Sequence, residues 1–411
     1  MHLSTIRSCT LLSIGASIVV TIALNATITR DSVNTKVPPQ LSNFQPSINR
    51  TDKDTALKLR RNLSESASIG NKTSANYLGP PPPAPITPKT DAQKDQRPSG
   101  VVYNYIEPPP INLTARAQLH TQFPNLADLS SSKSSLCAIV KDAEPYLDEW
   151  IDYHFGIGFH TIYLIDNSEK HELLQWQNKR RAKGYSVRVL PKPGTHRQMY
   201  GYHMCVSEFK EEHTYMAFFD VDEFLVLKKH SNVDDFLVQH LPKGALSISW
   251  YIFGSANTTM YSPLPVTKRF MYRDGTSEED RHQIWYNVKS ILMLKDYGGF
   301  PQSPHSMKTN KRRAGSNNAW RDTNGAGSYD KLGASNYDRP VDVAVLHHYK
   351  YLSPKEFYWK SCVRKTVDDL FKDCHKDGEL APKYVGKIYD DSAWQTLKKN
   401  VPRYAMFDDF M

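Results

Sequence analysis

From Leu136 to Phe219 short apolar runs alternate with stretches of helical period, and that order leaves few architectures open. Leu136-Cys137-Ala138-Ile139-Val140 reads as a buried strand. Pro145 then opens a helix in which Tyr146, Leu147, Trp150, Ile151, Tyr153 and His154 recur at helical spacing, stopped by Gly156 and Gly158. A second strand over 161–165, a polar helix over about 169–183, a third strand over 185–190, a helix over about 198–212 and a fourth strand over 215–219 follow. This alternation predicts an α/β fold, a mostly parallel mixed sheet with helices on both faces. Ligands of such sheets bind at the carboxyl ends of the strands. Asp166 ends the second strand, and Asp220 and Asp222 follow the fourth.

The fourth strand breaks off in Asp220-Val221-Asp222-Glu223, and the apolar pattern resumes as Phe224-Leu225-Val226-Leu227. Carboxylates beside so much apolar surface are costly unless a cation meets them. In an extended segment residues two apart point the same way. Asp220 and Asp222 are therefore expected to converge on one hard cation, whose remaining positions are left for phosphate oxygens, and Glu223 to point away. The plainer alternative is a charged strand end entering a surface turn. Asp166-Asn167 is equally good turn chemistry, and a Lys after a strand, such as Lys141, is often a solvated turn residue. Later strands are expected over 288–294 and 343–347, separated by a long Gly-, Asn-, Ser- and Lys-rich tract over 301–340, read as a lid or acceptor-side loop or else as disordered.

The amino-terminal third lacks any such pattern. Residues 8–29 carry no charge. As a helix at about 1.5 Å per residue they would span about 33 Å, close to a hydrocarbon layer. Residues 1–30 are read as a short cytoplasmic tail and signal-anchor transmembrane helix, with a cleaved signal peptide as the alternative. Residues 31–132, rich in Pro, Ser, Thr, Asn and Lys, are read as a disordered stem. Asn49, Asn62, Asn71 and Asn112 head Asn-x-Ser/Thr acceptors there, and Asn257 heads another in the globule, 133–411. This is the plan of a single-pass type II membrane protein of the secretory pathway. Cys137, Cys205, Cys362 and Cys374 then allow three pairings. Cys362 with Cys374 closes a local loop, leaving Cys137 with Cys205; four buried thiols are the other reading. The net charge of +9 fits an anionic ligand, and nucleic acid is not expected as a partner.

Several blocks together resemble glycosyltransferase family 92, a family related to the family 2-like transferases. They are the run 137–142, the run 146–154, Gly158, the run 163–167, the run 218–225, Trp250-Tyr251-Ile252-Phe253-Gly254-Ser255, Val288-Lys289-Ser290-Ile291, Pro304-His305, His348-Tyr349, Ser353 and Glu356-Phe357 with Lys360. They cover about residues 136–365 in order. The resemblance implies a GT-A (Rossmann-like) fold, a nucleotide-sugar donor, UDP-linked, a divalent Mn2+ or Mg2+ ion, and inversion at the anomeric carbon. Asp220, Asp222 and His348 would be the metal ligands, with His347 competing for the third place. Lys141, Asp166, Asp220 and Lys360 would line the nucleotide site, and Arg364, one helical turn beyond Lys360, could join them at the diphosphate. The family opens Lys-Asn-Glu where this chain has Lys141-Asp142-Ala143.

The activity so implied is a Golgi hexosyltransferase, galactose being the sugar the resemblance favours, acting on a glycan acceptor. An inactive lumenal glycan-binding scaffold and a metal-dependent phosphoesterase are the alternatives. Inversion needs a base on the acceptor side, for which Glu278, Glu279, Asp280, Asp296 and His305 are candidates. Trp250, Tyr251 and Phe253 are the aromatics expected to stack on a sugar.

Overall fold

The computed structural model describes residues 108–126, 133–170, 173–275, 284–364, 367 and 385–410. The expected tail, anchor and most of the stem lie outside these residues, as do Asn49, Asn62, Asn71, Cys374, Glu278, Glu279 and Asp280. Among the described residues no helix is long and apolar enough to cross a membrane.

The main elements in chain order are α1 (Leu113–Gln122), β1 (Ser134–Val140), α2 (Glu144–Gly156), β2 (Thr161–Asp166), α3 (Leu173–Ala182), β3 (Val187–Pro191), α4 (Gln198–Phe209), β4 (Tyr215–Phe218), β5 (Glu223–Leu227), α5 (Val233–His240), β6 (Ala245–Ile252), β7 (Tyr272–Arg273), β8 (Val288–Met293), β9 (Trp320–Arg321), β10 (Ala344–His348), α6 (Pro354–Tyr358), β11 (Ile388–Tyr389) and α7 (Ser392–Asn400). One sheet has the order β3-β2-β1-β4-β8-β6-β10-β5, with β9 beside β6; β7 and β11 form a separate ribbon. β3, β2, β1 and β4 are parallel. β8 is antiparallel to both β4 and β6. β10 runs parallel to β6 and antiparallel to β5.

The long strands are mostly apolar because both faces are covered. On β1, Leu136, Ala138 and Val140 join the core that also holds Trp150 and Ile151 of α2. Cys137 and Ile139 point into a second cluster with Tyr202 and Val206 of α4. A Cys137–Cys205 disulfide pins α4 to this face, as one of the expected pairings has it. Cys362 is disulfide-bonded too.

The stem reading fails at its carboxyl end. Residues 108–126 are described, and α1 within them is capped by Asn112, whose side chain accepts from the Ala115 amide at 3.0 Å. Leu119, Phe123 and Leu126 are buried in the core of the sheet domain. Arg116 is buried and donates to the carbonyls of Gly184 and His160. Gly184 has φ 91°, and a Cβ there would stand 2.4 Å from the Arg116 nitrogen, so both the turn and the docking of α1 need glycine. Three apolar anchors in an otherwise polar segment are too few to register as periodicity.

The tract over 301–340 is packed structure: β9 pairs with the start of β6, and isolated bridges tie Ser335 to Asn287 and Thr309 to Tyr297. Residues 219–222 alone join β4 to β5, which stand four places apart in the sheet order. A flat sheet would separate them by roughly 19 Å, beyond the roughly 17 Å that this link spans fully extended. The sheet therefore curls, and the curl brings the carboxyl end of β4 against the ends of β5 and β10.

Candidate functional site

At that junction lies a cleft of about 410 Å³, whose wall includes Asp220, Asp222, Lys289, His348, Lys360 and Arg364. The segment 220–222 is a turn, not an extended strand. The Glu223 amide donates to the Asp220 carbonyl at 3.0 Å, and the Asp220 amide donates to Glu223 Oε2 at 2.8 Å. The alternation argument for Glu223 thus fails: its side chain folds back beneath the aspartates, fully buried.

The two aspartates face one cleft but have separate partners. Asp220 Oδ1 accepts from Gln198 Nε2 at 3.1 Å and the Tyr202 hydroxyl at 3.2 Å, both on α4. Its Oδ2 lies 2.8 Å from Lys289 Nζ, a β8 ammonium that is itself 1% exposed. Burial opposes the Lys289 charge, but Asp220 and then Glu223 outweigh it and raise its pKa. Burial raises Glu223 well above the carboxylate range, Lys289 opposing and the two aspartates adding to the shift. Asp222 pairs with the Lys360 ammonium, and its Oδ1 lies 3.7 Å from His348 Nε2. Burial alone would raise Asp222; Lys360 and His348 more than offset this and hold it well below the usual range. His348, packed 4.4 Å from the Trp250 ring, is lowered by burial despite Asp222.

His347 points away from the cleft: its Nε2 is 3.9 Å from Asp390 and its ring packs on Phe253. Of the two histidines, His348 is the one that lines the cleft. Asp166 is buried, its Oδ1 accepting from the Ser168 amide at 2.9 Å, and it is not among the residues lining the cleft, contrary to the expectation for the nucleotide site. Lys141 does line the cleft, and its carbonyl accepts from Arg364 Nη1 at 2.7 Å. Ala143, standing where the family has glutamate, also lines it. Of the three aromatics only Trp250 reaches the cleft; Tyr251 lies beneath the Arg273 guanidinium and Phe253 is core. Asp296 accepts from the Gly244 amide and is not part of the cleft wall, whereas His305 is. His305 Nδ1 is 2.9 Å from the Val288 carbonyl, which makes it the donor and leaves Nε2 with the lone pair. Burial, helped by Lys289, pulls this imidazole down to about 4.

Sequence reasoning gave no role to Lys289, Gln198 or Tyr202. The signal was there for Lys289: a lone cation inside the apolar run 288–294 seldom lies buried without an anion.

Among the described residues no group of three or more His, Cys, Asp or Glu is gathered as a metal site. The donor set nevertheless fits a divalent ion that takes most of its ligands from a diphosphate. Asp222 and His348 are spaced to share an ion. Behind them the buried His348 Nδ1 and Glu223 Oε1, each without a hydrogen bond, face one another at 4.0 Å. A carboxylate at the far nitrogen is the usual support of a metal-bound imidazole.

The curled α/β sheet thus gathers acid, imidazole and the cations Lys141, Lys289, Lys350, Lys360 and Arg364 along one cleft. Glycosyltransferase family 92 matches residues 142–379, more than half of the chain, and the chain belongs to that family. A family 92 protein of Arabidopsis thaliana is 29% identical over 233 residues, which are 53% of this chain and 35% of that protein. One of Oryza sativa subsp. japonica is 26% identical over 151 residues, 36% of this chain and 26% of that protein. The chain thus spans about a third or less of these relatives. Among solved structures, Staphylococcus aureus TarS (residues 1–349) aligns with TM-score 0.27 and 14% identity, over 39% of this chain and 47% of that one. The mannosyltransferase PcManGT from Pyrobaculum calidifontis, in complex with GDP-Man and Mn2+, aligns with TM-score 0.23 and 8% identity, over 34% and 44%. Likeness at these TM-scores carries no argument about this chain.

Proposed function

We propose that this protein is an inverting GT-A glycosyltransferase that moves a hexosyl group from a nucleoside diphosphate sugar, UDP-linked, to a glycan acceptor. The observation that carries the reading is the Asp222–His348 pair, 3.7 Å apart, opening onto a cleft with five cations. Asp222 and His348 would hold a Mn2+ or Mg2+ ion, supported by Glu223. When bound, that ion supplies positive charge to the departing diphosphate. Lys360 and Arg364 stand on the same wall to take the remaining phosphate charge. Trp250 offers an apolar face to the sugar. A single displacement needs one base, and among the described candidates His305 is the one with both a place in the cleft and a lone pair, at Nε2.

The uncharged stretch over 8–29 and the Asn-x-Ser/Thr acceptors beyond it support a type II, Golgi-resident arrangement with the domain in the lumen. Galactose is the first donor sugar to test. The experiment is a screen of nucleotide sugars with the full-length chain and Mn2+, scored by slow donor hydrolysis. One donor should be consumed, and Asp222→Asn should lower that rate by about 10²–10³-fold. A chain that hydrolyses and binds none of the donors sinks the reading.

A further inference from the structure

The two aspartates of the turn carry ammonium partners of opposite character. Lys289 sits inside β8, paired in register with Ile248 of β6, and its side chain is 1% exposed. Its partner Asp220, although its own side chain is 33% exposed, is also held by Gln198 and Tyr202, so three groups fix that carboxylate in place. Lys360 belongs to a short π-helical turn, Trp359–Val363, at the cleft lip, and its side chain is 25% exposed. Apart from Asp222, its one hydrogen bond among the described residues is to the Lys350 carbonyl at 3.5 Å, the outer limit of such a bond.

We propose that Lys360 is an exchangeable counter-ion, which neutralises Asp222 until a divalent cation takes that carboxylate and then carries its ammonium to the ligand's diphosphate, while Lys289 is a permanent counter-ion that keeps Asp220 out of the metal's coordination. The diphosphate half rests on the transferase reading above. A metal ion and an ammonium cannot share one carboxylate without strong like-charge repulsion. Lys360 has four rotatable carbons and open space on its own wall, where Arg364 already lies. Lys289 has no such exit. Lys360 is thus a positioning residue that couples metal entry to phosphate capture, and it predicts effects of opposite sign on the two ligands. A side chain that only stabilised the lip would weaken both or neither.

The test measures Mn2+ alone by electron paramagnetic resonance on the full-length chain, and then UDP at saturating Mn2+ by calorimetry. Lys360→Met should tighten Mn2+ by about fivefold or more and weaken UDP by about tenfold. Lys360→Arg, whose planar fork grips a carboxylate with two bonds, keeps the fold and should weaken Mn2+. Asp220→Asn should leave the Mn2+ affinity within about twofold, while Asp222→Asn and His348→Ala weaken it by at least about tenfold. Mn2+ affinity that is unchanged or lower in Lys360→Met, or that falls as far in Asp220→Asn as in Asp222→Asn, overturns the proposal. Mn2+ and UDP responding as stated with no nucleotide sugar consumed leaves the exchange standing and removes the transferase reading alone. Wild-type chain that binds Mn2+ but no nucleoside diphosphate overturns both.

Discussion

Arg269 meets Glu356 in a two-pronged ion pair, Nη1 to Oε2 and Nη2 to Oε1 both at 2.9 Å, with each side chain 4% exposed. Glu356 also accepts from the Tyr146 hydroxyl and closes the capping box of α6 with Ser353. The pair therefore fastens the base of the helix that runs on into Lys360 and Arg364. Arg269→Met leaves a buried carboxylate with its main cation gone and should cost about 3–5 kcal/mol in urea unfolding. Arg269→Lys should recover only part, because an ammonium cannot reproduce the fork. UDP affinity should fall with both variants as the Lys360 turn loosens. Unchanged stability in Arg269→Met would remove this account.

The assignment of His305 leads to a distinctive pH profile. With its Nδ1 proton committed to the Val288 carbonyl and its pKa pulled down to about 4, the imidazole stays neutral well below the usual histidine range. The acid limb of kcat/KM for transfer should accordingly fall near pH 4 rather than near pH 6.5, once Mn2+ is kept saturating. His305→Gln preserves the bond to the carbonyl and should reduce transfer by about 10²-fold with UDP affinity unchanged. Loss of UDP affinity in that variant would make His305 a wall residue instead.

The sequence revealed most of the fold because its first strands are short, mostly apolar and separated by helical periods, a pattern that a sheet covered on both faces satisfies. The place of Asp220 and Asp222 at a strand end was legible for the same reason. Their orientation was not. The period-two argument assumes extended backbone, and 220–222 turn instead, which sends Glu223 under the site. Lys289 reaches Asp220 from a strand far along the chain, and such a pairing is set by sheet order, which local pattern does not carry. Lys141 follows β1 and Asp166 ends β2, yet one lines the cleft and the other is buried at the Ser168 turn. In the sequence His347 competes with His348, although strand alternation alone sends the two to opposite faces; which face holds the cleft follows from the register with Glu223 and Ile252.

Acid sensitivity should come from histidines remote from the cleft. His154 is buried, with Nδ1 2.8 Å from the Trp150 carbonyl, and burial pulls it down to about 3. His213 bonds the Tyr163 hydroxyl at 2.7 Å, and burial with help from His160 pulls it down to about 3 as well. Each stays neutral in the folded chain where the unfolded chain, with an ordinary histidine pKa, takes up a proton. The unfolded state then binds more protons between pH 6.5 and about 3, so stability falls as pH drops through that window and levels off below it. Each group contributes up to about 1.4 kcal/mol per pH unit there. Urea midpoints for His154→Gln between pH 7 and pH 4 should show a shallower decline than wild type, at lower absolute stability. A parallel decline would place the sensitivity elsewhere.

The Cys137–Cys205 bridge closes a separation of 68 residues. Removing such a cross-link frees the unfolded chain by about 4 kcal/mol in the chain-entropy model. The Cys137→Ala/Cys205→Ala double variant should therefore unfold at lower urea by about that amount, and wild type in reductant, which also loses the Cys362 bridge, by at least as much. The bridge also has a bearing on the site. Cys205 is on α4, one turn beyond Tyr202, and α4 presents Gln198 and Tyr202 to Asp220. With the bridge gone α4 is still held by the apolar contacts of Tyr202, Val206 and Phe209 and by the bonds of Gln198 and Tyr202 to Asp220. Those contacts suffice to keep it seated, so UDP affinity should fall by no more than about threefold while stability drops. A loss of UDP binding as large as that of Asp222→Asn would mean that the bridge, and not packing, sets the position of Asp220.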